Sequence, residues 1–580
     1  MHNFSSVFRL FREMKAFPGL LAFSLVCLLL VNVLALSRPL LTSWLLNQYL
    51  NASYEKIQQG CIIMTGLLMA ESLLTYGMSY ALSVLGQKII LSLRNRVYGH
   101  IMQMSSSWFD TTPVGTLITR SVSDIEAMNE VFTNGLLQIA GDMLLIILLI
   151  GAMIYKNFFL SLSVIAVLPF LLLASSFFRK GVQESFSRVR EAVNRLNVFL
   201  QERLNGMIWI RLFGVQEREM QRFKELNKMH REANIKTIFY YSVFFPVMDI
   251  LTSVSLALLM YLGFLQRSSS QVNVGDLAFF IMIAQMLFRP IRMLADRLNT
   301  LQMGLIASRR VYDLLDNSLQ LEKEGGYVLK ECPKQIRFEN VSFSYVPGQQ
   351  VLKNIRFTLR KGEKLGLVGK TGSGKSTLVQ LLGGFTDAYE GAILIDDKEL
   401  RTLEKESLRK KIFILPQDVF LFNDTLLENI RMYDAGITEK QVMEFVRELE
   451  LDEFIGMFEG GLHYTLRERG SGLSAGQKQL IAFLRGRALN PDVFVFDEAT
   501  SYLDVRTEHL LQTAMNKILK DKTAIIIAHR LSTIMQCDRL LVLENGIIIE
   551  EGTPEKLRSD EHSAFRTFLD QYLAEFTETP

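Results

Sequence analysis

The sequence predicts an all-α unit of six transmembrane helices over residues 1–317 and an α/β unit over residues 336–580, joined by a linker at 318–335. Three observations carry this reading. Long apolar runs are confined to the first half, strands and helices alternate from Ile336 onward, and a strand–loop–helix with the pattern G-x-x-x-x-G-K-S lies at 364–382. Composition agrees: 49% hydrophobic against 21% charged residues, with a mean hydropathy of +0.20, is too apolar for an ordinary soluble chain. A net charge of only +3 argues against a broad nucleic-acid-binding surface, so no nucleic-acid partner is expected. The cysteines Cys27, Cys61, Cys332 and Cys537 are scattered without metal-ligand spacing and read as isolated packing residues.

The six spans lie near 18–37, 60–86, 135–155, 157–178, 238–265 and 274–298, each long enough for a hydrocarbon core of about 30 Å at about 1.5 Å per residue. Arg9, Arg12 and Lys15 before the first run, with Val33-Leu34-Ala35 inside it, imitate a secretory signal. The apolar pattern continues past Arg38-Pro39 to Leu46, longer than a signal core, so a retained span is expected. Lysine and arginine crowd segments 87–134 and 179–237, whereas the opposite connections hold Lys56, Lys156 and Arg267. That asymmetry places both long segments, the N-terminus and the α/β unit in the cytosol. Structureless loops of such length are uncommon, and these have helical apolar spacing. Each segment is therefore expected to form two antiparallel helical arms, roughly 35–40 Å long, turning near 108–115 and 210–214. Residues 4–17, basic and aromatic, fit an amphipathic helix in the membrane interface or a solvated N-terminus. Within or near the spans, Glu71, Asp142, Asp249, Arg289 and Arg292 are ionisable candidates for substrate contact or for water-level positions. Phe244, Phe245, Met248, Phe279, Phe280, Met282 and Met286 are candidates for an adaptable apolar pathway or for packing.

The motif Gly369-Lys370-Thr371-Gly372-Ser373-Gly374-Lys375-Ser376 follows an apolar strand and opens a helix at Thr377. Its glycines let successive backbone N–H groups close around phosphates, and the helix N-terminus adds its positive end. Lys375 is placed to reach the outer phosphates and the Ser376 hydroxyl to ligand Mg²⁺, so a nucleoside triphosphate is the expected ligand. Val493-Phe494-Val495-Phe496-Asp497-Glu498 is a buried-strand pattern ending in two acids, where α/β sheets bind ligands. There Asp497 is a candidate Mg²⁺ ligand and Glu498 a candidate base for the attacking water. Ile525-Ile526-Ile527-Ala528-His529 repeats the arrangement, with His529 positioned to donate to the γ-phosphate. Gly472-Leu473-Ser474-Ala475-Gly476-Gln477 precedes a helical run and supplies a second phosphate-binding helix N-terminus.

Together these motifs closely resemble the nucleotide-binding domain of ATP-binding cassette (ABC) transporters, and with six preceding spans the chain resembles an exporter-type half-transporter. The resemblance implies a P-loop ATPase domain using ATP and Mg²⁺. It assigns Tyr345 to adenine stacking, and Gln417, in Pro416-Gln417-Asp418, to a loop that contacts Mg²⁺ and senses the membrane helices. Ser474, Gly476 and Gln477 match the signature sequence, with Ala475 where the family usually has glycine. Ser501-Tyr502-Leu503-Asp504 resembles the D-loop, Tyr502 replacing a small residue, and Arg467-Glu468-Arg469-Gly470 resembles an exporter-type segment that meets the arms.

Binding residues expected on this basis are Tyr345, Gly369, Thr371, Gly372, Ser373, Gly374, Lys375, Ser376, Thr377, Gln417, Ser474, Gly476 and Gln477, with Glu498 and His529 catalytic and Ser376, Gln417 and Asp497 at the metal. Because the family sandwiches ATP between the loop of one subunit and the signature of another, a second half-transporter is expected. Residues 288–292 and 474–480 resemble heterodimeric bacterial multidrug exporters, favouring a heterodimer over a homodimer. The resemblance implies a multi-pass protein of the bacterial inner membrane with its ATPase domain in the cytosol. It would export a hydrophobic or amphipathic drug or lipid by alternating access. A peptide exporter subunit and an ATP-gated channel or regulatory protein are the alternatives.

Overall fold

The computed structural model describes residues 2–48, 54–267, 272–317, 322, 325–346, 348–497, 505–527 and 531–577. Two compact units form, one from Met1–Gln103 and Thr112–Leu319, the other from Met104–Thr111 and Gln320–Pro580.

The first unit is helical. It opens on α1 (His2–Lys15), whose Leu10 and Met14 are buried while Phe8 and Phe11 face outward. Then come α2 (Pro18–Gln48) and α3 (Tyr54–Met102); the short α4 (Ser106–Thr111) that follows in the chain belongs to the second unit, and the first resumes with α5 (Val114–Ser121) and α6 (Ser123–Glu130). A single π-helical turn over Val131–Gly135 leads into α7 (Leu136–Lys156). The run read as one span at 157–178 is interrupted between α8 (Phe158–Ile165) and α9 (Leu168–Asn205). Pro169 lies in the first turn of α9, where its missing N–H costs nothing, and it disfavours helix just before it. The short α10 (Met207–Leu212), then α11 (Gln216–Arg267) and α12 (Val274–Leu315), complete the unit. Among the described residues, six helical stretches are long and apolar enough to cross a membrane. At 49 and 52 residues, α3 and α11 far exceed what the hydrocarbon core needs, leaving about 45 Å of helix outside it.

Packing settles several of the intramembrane candidates. Phe244, Met248, Phe279 and Phe280 are buried in the unit's core with Leu149, Leu171 and Phe288, so they pack helices together instead of lining a path. Phe245 is half-exposed. Glu71 accepts from Arg38 at 3.0 Å, and Asp142 pairs with Arg297, so both carboxylates already have cationic partners. Pairing of this kind is what a low-dielectric surrounding demands of a charge. Lys156 and Asp276 join the ends of α7 and α12 at 3.1 Å. Arg289 is exposed, and the side chain of Arg292 lies outside the described residues.

The second unit carries two sheets. β1 (Gln335–Val346), β2 (Gln349–Arg360), β4 (Tyr389–Ile395) and β5 (Lys398–Glu399) form an antiparallel sheet in the order β2-β1-β4-β5. The other sheet has the order β10-β9-β3-β8-β7-β6, made of β3 (Lys364–Val368), β6 (Ile412–Leu415), β7 (Val493–Asp497), β8 (Thr523–Ile527), β9 (Arg539–Glu544) and β10 (Ile547–Gly552). Only β10 runs antiparallel to its neighbour. The central strands β7 and β8 are continuous apolar runs, as strands covered on both faces must be. Helices α13 (Lys375–Leu382), α14 (Lys405–Lys411), α15 (Leu426–Arg431), α16 (Glu439–Glu448), α17 (Asp452–Gly456) and α18 (Ala475–Leu489) follow in chain order, then α19 (Val505–Ile518), α20 (Leu531–Ile534), α21 (Pro554–Ser559) and α22 (Ala564–Thr577). Ahead of β1, Tyr327 bridges to Leu403 and Leu329 is buried in this unit's core.

Candidate nucleotide-binding site

The site is assembled by the register of the parallel sheet. Val368, the last residue of β3, faces Val542 of β9, while Leu367 faces Ile527 of β8. In the adjoining ladder Asp497 faces Ile527, and Leu415 faces Phe496. The phosphate loop, Asp497 and the segment holding Gln417 therefore all leave the sheet at its carboxyl edge, the edge at which such sheets take ligands.

The loop at 369–374 is built for close approach. Gly374 caps α13 with φ +103°, and a Cβ there would lie 2.6 Å from Leu352 Cδ2. A Cβ on Gly369 would lie 2.2 Å from the Leu543 carbonyl oxygen. Lys375 is 7% exposed, and its Nζ donates to the carbonyls of Gly369 at 2.7 Å and Lys370 at 3.0 Å. Burial pushes its pKa below the usual lysine range, an effect the Asp497 carboxylate partly offsets. Ser376 Oγ donates to Asp497 Oδ2 at 3.0 Å, joining residues on α13 and β7 that lie far apart in the chain. A hydroxyl held on a carboxylate is a donor set suited to Mg²⁺. The Ser373 hydroxyl is buried with no hydrogen-bond partner among the described residues. Leaving it so costs about 1–3 kcal/mol, which a phosphate oxygen would relieve. The residues present thus fit a nucleotide carrying Mg²⁺.

Tyr345, at the end of β1, meets Phe343 edge-on and donates its hydroxyl to Gln380 Oε1 at 2.6 Å, with Thr377 Oγ1 3.2 Å away. Its half-exposed ring therefore stands over the first turns of α13. Gln417 is exposed, and among the described residues no hydrogen bond joins it to Ser376 or Asp497. Ser474 caps α18: its hydroxyl accepts from the Gln477 N–H at 3.2 Å, and the Gln477 side-chain Oε1 accepts from the Ser474 N–H at 3.0 Å. Gly476 is buried in the first turn. No hydrogen bond links this helix start to the phosphate loop among the described residues. Thr371 is exposed on the loop, and Thr377 is buried in α13. Glu498 and His529 follow β7 and β8 but lie outside the described residues.

One group escaped the sequence reading. Arg485 of α18 donates from Nε to the Asn429 carbonyl at 2.6 Å, from Nη1 to the Phe420 carbonyl at 2.8 Å and from Nη2 to Asn429 Oδ1 at 3.0 Å. Asn429, fully buried, in turn holds the backbone of Phe422 and Thr425. The clamp ties the segment after Gln417 to the helix that begins at Ser474. A lone arginine among Leu480, Ile481, Phe483 and Leu484 was the available signal. Burial pushes its pKa down to about 10, so it stays charged at neutral pH. Arg485→Ala is expected to destabilise the protein by about 3 kcal/mol, since three carbonyl acceptors lose a charged donor. A lowered thermal midpoint of the purified full chain checks this, and an unchanged midpoint would refute it.

Six membrane-length helices joined to a phosphate-loop α/β unit define an integral, multi-pass membrane protein with a nucleotide-binding cassette. Comparison with known proteins makes this specific. Residues 21–291 match the family described as ABC transporter transmembrane region, and residues 352–501 match the family described as ABC transporter. The chain is 32% identical over 567 residues to the "Uncharacterized ABC transporter ATP-binding protein YknV" of Bacillus subtilis (strain 168), covering 96% of this chain and 92% of that protein. It is 32% identical over 501 residues to the ATP-dependent lipid A-core flippase of Escherichia coli (strain K12), covering 86% of this chain and 85% of the relative. The solved structure of a bacterial Atm1-family ABC exporter with ATP bound shares the fold, with a TM-score of 0.80 at 23% identity over 96% of this chain and 99% of that one. The chain belongs to the ABC transporter family, as a half-transporter of the exporter type and an ATP-dependent transporter.

Proposed function

We propose that this chain is half of a dimeric exporter of the bacterial inner membrane, moving a hydrophobic or amphipathic drug or lipid outward by alternating access. The observation that carries the reading is that one chain holds a phosphate loop and a signature-type helix start with no hydrogen bond between them among the described residues. Two chains, placed so that each offers Ser474 and Gly476 to the other's loop, make two complete sites. A second observation supports a partner. At the tip of the second arm, Ile208, Trp209, Leu212 and Phe213 are 77, 62, 68 and 71% exposed, a patch that water does not favour and that a partner's nucleotide-binding unit would cover. The flippase name of a relative supports the lipid side of the substrate reading.

In this reading the loop N–H groups and Lys375 hold the phosphates, and Tyr345 stacks on the base. Ser376, Asp497 and Gln417 hold Mg²⁺, which when bound neutralises phosphate charge. Glu498 accepts a proton from the attacking water, and His529 donates to the γ-phosphate as charge builds there. Closure of the two cassettes moves the helical arms and reverses the exposure of the membrane pathway. The intact Glu498 and His529 suit the catalytic member of a heterodimer whose other chain lacks that glutamate. The test is ATP-dependent, uphill accumulation of a hydrophobic dye in inside-out vesicles, with the chain alone and with candidate partner chains. Hydrolysis without accumulation would favour gating over pumping. A stable, active dimer of this chain alone would overturn the heterodimer.

A further inference from the structure

The helical unit holds a partly open cavity of about 260 Å³ between α9, α11 and α12. Its volume falls just below the range of small-molecule pockets, which run from about 300 Å³ upward. One end is aromatic. Phe178 stacks on Phe244 with ring centroids 3.8 Å apart and meets Tyr241 edge-on at 5.2 Å, so this wall is held rigid. The other end is polar, with Gln302 and Arg190. Arg190 follows Phe178 on α9 by about three turns, roughly 18 Å. Phe178 and Tyr241 lie at the arm-side ends of the apolar stretches of α9 and α11, and Gln302 and Met303 lie beyond that of α12. The cavity therefore straddles the level at which hydrocarbon gives way to head groups, on the side where the lysine and arginine excess places the cytosol.

Arg190 differs from its neighbours in charge pairing. Arg188 and Arg195 pair with Glu184 and Glu191 one helical turn away, at 2.7 and 2.6 Å. Arg190 instead donates to Met303 Sδ at 3.5 Å, a weak acceptor, and among the described residues no carboxylate lies within ion-pair distance of it. Among the described residues no acid lines the cavity. From this juxtaposition we infer that the cavity admits an amphiphile with an anionic head, the head on Arg190 and the apolar body against Phe178 and Tyr241. The inference rests on the exporter reading and narrows its substrate class. An anionic head gains charge-assisted hydrogen bonds at the interface, whereas a cationic amphiphile of equal apolar area is repelled and a neutral one gains only the apolar contact.

The test uses the full chain, with its partner if required, in nanodiscs of phosphatidylcholine. The probes are dansyl-labelled dodecyl phosphate, the matching neutral alcohol and the matching trimethylammonium compound, and probe fluorescence reads binding. The native chain should bind the phosphate probe about tenfold tighter than the alcohol. Arg190→Gln should erase that preference, Arg190→Lys should keep most of it, and Arg190→Glu should shift it to the ammonium probe. Equal binding of phosphate and alcohol by the native chain, or a preference that survives Arg190→Gln, overturns the proposal. Uphill, ATP-dependent transport of the phosphate probe and of the neutral alcohol is measured on the native chain with its partner. Absence of transport of both, with the Arg190-dependent binding preference intact, would sink the exporter reading and leave the binding site standing.

Discussion

Glu498→Gln is expected to leave ATP binding in place and to slow ATP turnover about a hundredfold or more. Glutamine keeps the size and the hydrogen-bonding carbonyl of glutamate but cannot accept a proton at neutral pH. A positioned general base contributes roughly 10²–10⁴ in rate, so losing it should dominate the kinetics while phosphate contacts survive. Val493 to Phe496 are buried in β7, and Asp497, which ends the strand, accepts from Ser376 at the edge where such sheets take ligands; Glu498 is the next residue in the sequence. Nucleotide binding and steady-state hydrolysis, measured on the same preparation, separate the two effects. Unchanged turnover would mean that another group takes the proton.

Lys375→Met is expected to abolish most ATP affinity while leaving the fold as stable as before. The buried amine donates to the Gly369 and Lys370 carbonyls, so its removal gives up two hydrogen bonds. Against that loss stands the desolvation that pushes its pKa down, a sign that the charged form is disfavoured by burial in the folded state. The two effects oppose each other, and little net change in thermal midpoint without nucleotide should result. Binding is different, because charge-assisted bonds to phosphate are worth about 1.5–3 kcal/mol each, or roughly ten- to a hundredfold in affinity. ATP at a hundred times its dissociation constant should stabilise the native protein by about 2.7 kcal/mol and the variant, at the same ATP concentration, by only about 0.4–1.4 kcal/mol. A variant still stabilised by ATP to the native extent would remove Lys375 from the phosphate site.

The strands and loops that make the cassette were legible because their signals are local. A glycine-rich turn between an apolar strand and a helix, or acids closing a run such as Val493 to Phe496, occupies a few consecutive residues whose spacing states its geometry. Arg485 was not legible, because its acceptors at Phe420 and Asn429 lie on another stretch of chain and the helix around it reads as plain core. Glu71 and Asp142 read as substrate contacts or as charges at water level, and only the fold sets Arg38 and Arg297 beside them. Phe279 and Phe280 read as either pathway or packing until their burial was known.

By itself the order of residues determined the two fold classes, the number of membrane-length apolar runs and the phosphate-loop motif. These depend on periodicity, length and charge along one segment, which the chain carries wherever it folds. Tertiary structure alone decided that Ser376 meets Asp497, that Arg485 clamps the segment after Gln417, that several charges within the spans are already paired, and that Arg190 and Phe178 line one cavity. Each of those is a meeting between distant segments. Such meetings are set by strand register and helix packing, whose energies depend on the whole fold and leave no mark in any single stretch of sequence.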